Sequence, residues 1–210
     1  MYPLLTAHYW SNDGTQNHLH YRSVSDLVLT GTINVDAPPT RLLVDWEQEM
    51  TQQLNLEPGD VEALPLARAR MRWPDYSACV LAAGEWTRTL GLADTLSSSE
   101  VALMACRGAR YHHDAELYGG SAFCNLFLSE DKGLDLHFPA LKLRIPLVRG
   151  TAVIFDTAQS HGVIQRRATE DHGFNASDFP PELDCSQVFL TWELPIDNAH
   201  VAHALGISLK

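Results

Sequence analysis

The spacing of hydrophobic positions divides the chain into a helical part and a strand-rich part. Between Arg41 and Leu54 apolar residues recur at intervals of three and four, which predicts an amphipathic helix. A second helix is predicted from about Asp75 to Gly91, and Asp60 is a candidate cap for a short helix running through Leu66. The residues expected on the buried sides of the two longer helices are Leu43, Trp46, Met50, Leu54, Val80, Ala83, Trp86 and Leu90.

Beyond residues 97–99 the pattern changes to short runs with β-strand composition, separated by glycine and proline. Such a series predicts a sandwich or barrel, and helices followed by strands indicate an α+β fold. We expect one domain, with residues 1–97 as an N-terminal extension whose helices pack on a core formed by 98–210. The predicted strands are Glu100–Cys106, Ala122–Leu128, Leu134–Phe138, Leu141–Val148, Thr151–Asp156, Val163–Arg166 and Gln187–Leu194.

Composition narrows the partners that this domain can have. The 210 residues carry a net charge of −11, which disfavours nucleic acid as a partner. No apolar run is long enough to cross a membrane. The four cysteines include no CxxC pair, and the first residues lack the features of a signal peptide, so we expect a cytoplasmic protein. The first forty residues are polar, and His8, His18 and His20 are expected in a loop there.

The candidate chemistry lies in the strand-rich part. His112 and Asp114 are two residues apart on an extended segment, which directs both side chains to one side and leaves His113 on the other. A turn at Gly150 and an apolar strand then lead to His161. Two imidazoles and one carboxylate form the facial triad that suits Fe(II) and leaves coordination positions open. His137 is a lesser candidate on a predicted strand.

This arrangement resembles the 2-oxoglutarate/Fe(II)-dependent oxygenase superfamily, in its prolyl-hydroxylase-like form. The resemblance covers about residues 100–195 and includes the segments Phe123–Leu128, Gly133–Phe138 and Leu143–Pro146 between the ligands. It implies that 98–210 is a double-stranded β-helix catalytic core braced by the N-terminal helices. It also implies Fe(II), the cosubstrate 2-oxoglutarate and O₂, and hydroxylation of a small molecule or of an amino-acid or peptide side chain. The oligomeric state stays open.

One feature of the family is missing. Its members anchor the far carboxylate of 2-oxoglutarate with an arginine or lysine near the start of the last core strand, where this chain has Ser186 and Gln187. A buried carboxylate needs a cationic or multi-donor partner. We therefore expect Arg167 as the anchor, on the same face as His161 if the strand is unbroken, with Arg166 second and Arg144 in reserve.

Four further strand residues are candidates for the pocket, and they leave an alternative function open. Asn125 and Tyr111 are expected to hydrogen-bond the cosubstrate, and Thr191 and Trp192 to line the pocket, although each has ordinary structural uses. The missing cation favours, as the alternative, a cupin-type metal-dependent dioxygenase or isomerase that does not use 2-oxoglutarate. A third possibility is a binding module without turnover. The carboxylate of Asp114 argues against halogenation, which requires a small residue at that position.

Overall fold

The secondary structure is dominated by antiparallel strands. The computed structural model describes residues 5–12, 17–168, 173–180 and 182–209. The strands of this part are β1 (Thr6–Asn12), β2 (Asn17–Ser23), β3 (Val28–Thr32), β4 (Val61–Leu64), β5 (Val101–Arg107), β6 (Ala109–His112), β7 (Ser121–Phe127), β8 (Leu134–Phe138), β9 (Leu143–Pro146), β10 (Thr151–Asp156), β11 (His161–Gln165) and β12 (Ser186–Pro195). The α-helices are α1 (Thr40–Gln48), α2 (Leu66–Arg72), α3 (Tyr76–Thr89), α4 (Ala115–Tyr118) and α5 (Ala199–Ala204).

Two of the sheets build the core of the molecule. The major sheet has six strands in the order β3-β10-β7-β12-β5-β4, and the minor sheet has four in the order β6-β11-β8-β9. Along the chain from β5 to β12 the strands cross repeatedly between these sheets, with only β8 and β9 consecutive in the same one. This is the order of a double-stranded β-helix, and the fold prediction is confirmed.

The helices cover the outer face of the major sheet. Trp46 of α1 and Ala83 of α3 are buried in one cluster with Leu126, Leu190 and Trp192 of the sheet. The predicted helical face therefore packs on strands. Leu43, which was expected on that face, is 39% exposed, and Leu42 is buried in its place. The predicted helix over 41–54 is observed as α1 followed by a π-helical turn, Glu49–Gln53. Within the described residues, no helix is long and apolar enough to cross a membrane.

The region before α3 contains strands that were not predicted. The short helix expected from Asp60 through Leu66 is wrong, because Val61–Leu64 forms β4 and pairs with β5 at the edge of the major sheet. Such pairing overrides local propensity. At the opposite edge β3 pairs with β10. His8, His18 and His20 were expected in a loop, and they lie instead on the β1–β2 hairpin.

A second cluster of buried side chains lies between the two sheets. Its aromatic members include Phe127 and Phe189, whose ring centroids are 5.1 Å apart, and Phe138 and Phe155, at 5.4 Å. His161 also contacts this cluster, with its ring centroid 4.7 Å from that of Phe155. Aromatic rings therefore lie between the sheets and extend to His161, one of the predicted metal ligands.

Candidate metal centre

The three predicted metal ligands meet at one end of the minor sheet. His112 is the last residue of β6, Asp114 directly precedes α4, and His161 is the first residue of β11 and pairs directly with His112. The Nε2 atoms of the two histidines each lie 3.6 Å from an oxygen of Asp114. One ligand atom from each residue lies within 4.8 Å of the others. The spacing therefore lets one ion contact all three.

The second nitrogen of each imidazole is held by the backbone. His112 Nδ1 lies 2.6 Å from the carbonyl oxygen of Arg110, and His161 Nδ1 lies 3.0 Å from that of Gln159. A carbonyl only accepts, so each Nδ1 carries the proton and donates. Such a hydrogen bond from the other ring nitrogen is the usual second contact of a metal-binding histidine. It leaves the lone pairs of the two Nε2 atoms free, on the side of Asp114.

Asp114 is positioned by the turn that precedes His161. Its backbone N–H donates to the carbonyl oxygen of Thr157 at 2.7 Å. The hydroxyl of Thr157 lies 2.8 Å from the carbonyl oxygens of both Tyr118 and Ser121. Since β6 ends at His112, the extended segment assumed from the sequence does not include Asp114. The carboxylate nevertheless lies on the same side as His112, because the turn holds the start of α4.

A buried ion pair fixes the same turn from the N-terminal side. Arg22 contacts both oxygens of Asp156, at 2.6 and 2.7 Å, and both side chains are 0% exposed. The Nε of Arg22 donates to the carbonyl oxygen of Gly119 at 2.7 Å. The backbone N–H groups of Ser25 and Ala158 donate to the carboxylate at 2.9 Å. The ion pair between Arg22 and Asp156 was not predicted. Its sign in the sequence is Asp156, an aspartate at the end of an apolar strand.

Burial controls the protonation of the ligands. Desolvation, with a smaller contribution from His112, lowers the pKa of His161 to about 4, so that its ring is neutral at pH 7. Desolvation raises the pKa of Asp114, while His112 and His113 oppose that shift. A neutral imidazole and a carboxylate are the forms that bind metal. Two nitrogens and one carboxylate suit Fe(II) or Mn(II), and the donor set fits the facial triad.

The triad opens into a cavity of about 280 Å³ between the sheets. Most of its wall is apolar or aromatic, from β5, β7 and β12. The polar residues that line it besides the triad are Tyr118, Asn125, Thr191 and Glu193, and no arginine or lysine is among the described lining residues. Asn125 is 7% exposed, and its Oδ1 has no hydrogen-bond partner in the described part of the chain.

Two of the predicted pocket residues lie in this cavity and two do not. Asn125 and Thr191 are direct neighbours on β7 and β12 and both line it. Trp192 faces the helices, because adjacent residues of a strand point to opposite faces. Tyr111 lies opposite Gly162 at an irregularity in the pairing of β6 with β11, and its hydroxyl bonds to His137 instead of lining the cavity.

The three arginines proposed as cosubstrate anchors lie away from the cavity. Arg167 would share the face of His161 only on an unbroken strand, but β11 ends at Gln165 and Arg167 is exposed in the turn that follows. Arg166 is paired with Asp131 and Asp135, each at 2.8 Å. Arg144 donates to the carbonyl oxygens of residues 166 and 168. The structure therefore brings none of them to the metal ligands.

Sequence reasoning missed Glu193, a carboxylate that lines the cavity. Its signal was available, since Glu193 follows Thr191 by two residues on the same strand and hence shares its face. The pKa of Glu193 is raised by desolvation and by the neighbouring Glu100. His113 faces a separate cavity, which it lines with His8 and Tyr9 of the hairpin.

No protein-family model matches the chain, and no curated protein sequence does. Solved structures with a similar fold include a prolyl-4-hydroxylase from Pseudomonas putida, at 14% identity and a TM-score of 0.45 over 80% of this chain and 92% of that one. EvdO2 from Micromonospora carbonacea var. aurantiaca has 13% identity and a TM-score of 0.45, over 80% and 86%. The viral collagen prolyl hydroxylase of Paramecium Bursaria Chlorella virus-1, solved with 2-oxoglutarate, has 9% identity and a TM-score of 0.44, over 79% and 94%.

Proposed function

We propose that the chain is an Fe(II)- and 2-oxoglutarate-dependent oxygenase that hydroxylates a small molecule or an amino-acid or peptide side chain. The observation that carries this proposal is the convergence of His112, Asp114 and His161, with both Nε2 atoms 3.6 Å from the carboxylate, at the wall of a cavity. Three protein ligands leave positions for the cosubstrate and O₂.

The chain's own residues hold the ligands and shape the space beside them. The carbonyl oxygens of Arg110 and Gln159 fix the two imidazole rings, and the turn at Thr157 fixes Asp114. Phe123 and Phe155 line the cavity near the ligands and keep water from part of it. Iron bound there would let 2-oxoglutarate and O₂ convert a substrate C–H to C–OH, with release of succinate and CO₂.

The second candidate is a cupin-type metal-dependent dioxygenase or isomerase that does not use 2-oxoglutarate. It is favoured by the absence of arginine and lysine from the described cavity lining. Among the described lining residues no cation is available to the far carboxylate of 2-oxoglutarate, and burying that carboxylate without one is costly. The metal ligands are the same in both candidates.

Binding of Mn(II) and then of 2-oxoglutarate tests the proposal in two steps. Calorimetric titration of the full chain with Mn(II) is expected to show one site, lost in His112→Ala, Asp114→Ala and His161→Ala but kept in the control His113→Ala. Intact binding in His161→Ala would contradict the triad. Titration of the Mn(II)-loaded protein with 2-oxoglutarate then separates the candidates. Metal binding without 2-oxoglutarate binding would reject the oxygenase in favour of the cupin-type enzyme.

A further inference from the structure

Three polar side chains form a group on the inner face of the major sheet. Asn125 on β7 and Thr191 on β12 are direct cross-strand partners, and Glu193 is two residues beyond Thr191. Cross-strand partners have Cβ atoms about 5 Å apart, and alternate strand residues are separated by about 7 Å. All three line the same cavity as the metal ligands, among side chains that are otherwise apolar, such as Met104 and Phe189.

Each of the three side chains offers a hydrogen-bond acceptor to the cavity. The Oδ1 of Asn125 is buried and has no donor in the described part of the chain. The carboxylate of Glu193 only accepts when ionised, and the hydroxyl of Thr191 accepts as well. Buried acceptors are normally paired, so an unpaired one that lines a cavity indicates a position that a ligand donor fills.

The negative charges near these three side chains favour a ligand whose hydrogen-bond donor is positively charged. Glu193 and Asp114 are both carboxylates of the cavity wall, and Glu100 lies near enough to Glu193 to act on it electrostatically. No lysine or arginine is among the described residues that line this cavity. A ligand carboxylate placed beside Glu193 would be repelled, whereas a protonated amine would be attracted.

We propose that the substrate carries a protonated amine that pairs with Glu193 and donates to Asn125 and Thr191. An ammonium group has three donors, and the group offers three acceptors. A cavity of about 280 Å³ limits the substrate to a small molecule or one side chain inserted from a larger one. The amine would hold the substrate between the major sheet and the triad. This substrate class depends on the proposed function, because it takes the cavity as the substrate site.

Three small probes with the same ring and different head groups test the charge selection. Benzylamine, benzyl alcohol and benzoate are titrated by calorimetry into the metal-free full chain at pH 7, because a carboxylate such as benzoate can also bind Mn(II) directly. We expect benzylamine to bind at least about tenfold more tightly than benzoate, as loss of a charge-assisted contact predicts. Equal or tighter binding of benzoate would overturn the proposal, and so would absence of benzylamine binding.

Matched variants assign the selection to Glu193. Glu193→Gln is expected to weaken benzylamine by about tenfold and to leave benzyl alcohol unchanged, because only the charged contact is lost. Glu100→Gln removes the same charge from a residue that does not line the cavity, so its effect on benzylamine should be much smaller. Thr191→Val should weaken benzylamine through the hydroxyl alone. Equal effects of Glu193→Gln and Glu100→Gln would overturn the proposal.

Three further outcomes separate the amine site from the metal site. If benzylamine binding persists in Glu193→Gln but is lost in Asp114→Asn, the amine lies at the triad and the proposal is wrong. If Mn(II) does not bind while Glu193 still selects benzylamine, the proposed oxygenase function fails and the amine site stands. If Mn(II) binds but Glu193 does not select benzylamine, the amine site is rejected and the metal site stands.

Discussion

Replacement of Arg22 by methionine removes the only cation that contacts the buried carboxylate of Asp156 among the described residues. Methionine keeps the length and the apolar stem of the side chain, so the change isolates the guanidinium. The variant loses both contacts with Asp156 and the hydrogen bond to the carbonyl oxygen of Gly119. The carboxylate stays 0% exposed, with the N–H groups of Ser25 and Ala158 as its remaining donors.

The expected loss of stability is large. Removing one partner of a buried ion pair typically costs about 3–5 kcal/mol, because the other charge is left without compensation. A domain of this kind has a free energy of unfolding of about 5–15 kcal/mol, so the variant loses a substantial fraction of it. The same change should weaken Mn(II) binding, since Asp156 begins the turn whose residues 157 and 159 hold Asp114 and His161.

Urea unfolding of the metal-free protein, followed by circular dichroism, measures the first effect, and Mn(II) calorimetry measures the second. The control is Arg68→Met, which breaks a pair with Glu49 in which the arginine side chain is 50% exposed. Such surface pairs contribute about 0–1 kcal/mol. The reasoning is refuted if Arg22→Met costs no more than Arg68→Met, or if it leaves Mn(II) affinity as in the wild type.

Three other outcomes follow from the geometry. Arg167→Ala should leave the affinity of the Mn(II)-loaded protein for 2-oxoglutarate unchanged in calorimetry, because Arg167 does not line the cavity; a marked loss would contradict this. Gly162→Ala should lower both the free energy of unfolding and the affinity for Mn(II). The added Cβ would lie 2.9 Å from the carbonyl oxygen of Ala109 and displace β6 beside His112. Stability and Mn(II) affinity equal to those of the wild type would refute this. The folded pKa of His161 is about 4 against 6.5 for the ordinary group, so stability is retained above pH 6.5 and lost as the pH falls toward 4. At about 1.4 kcal/mol per pH unit the full loss is about 3.5 kcal/mol, of which about 2 kcal/mol falls between pH 6.5 and 5. The urea midpoint should therefore decrease less from pH 7 to pH 5 in His161→Gln than in the wild type; equal decreases would count against the lowered pKa.

The convergence of His112, Asp114 and His161 was predictable from the sequence because the spacing of these residues along the chain encodes their geometry. His112 and Asp114 are two residues apart, and a turn and an apolar strand lead to His161, so the arrangement that the family resemblance implies is visible as a one-dimensional pattern. The strands between them were predicted from their β-strand composition and from the glycine and proline residues that separate them. These features depend on local order along the chain.

The features that were missed depend on pairing between distant segments. Arg22 reads as a polar residue of a polar stretch, and nothing near it in the sequence indicates Asp156 as its partner. Arg167 was favoured on the assumption of a strand that in fact ends at Gln165, and strand ends are set by tertiary contacts. Trp192 was grouped with Thr191, although strict alternation places them on opposite faces.

The pairing of β3 with β10 also bears on how the chain folds. It joins Val28 to Phe155, more than a hundred positions away, and closes the major sheet on the side of the turn that holds Asp114 and His161 in place. Contacts of such long range must overcome the loop-closure entropy before they contribute stability, which makes folding slow. On refolding, helix content measured by circular dichroism should recover earlier than Mn(II) binding. The candidate metal site is therefore expected to form late in folding, after β3 has paired with β10, which follows it by more than a hundred residues in the sequence.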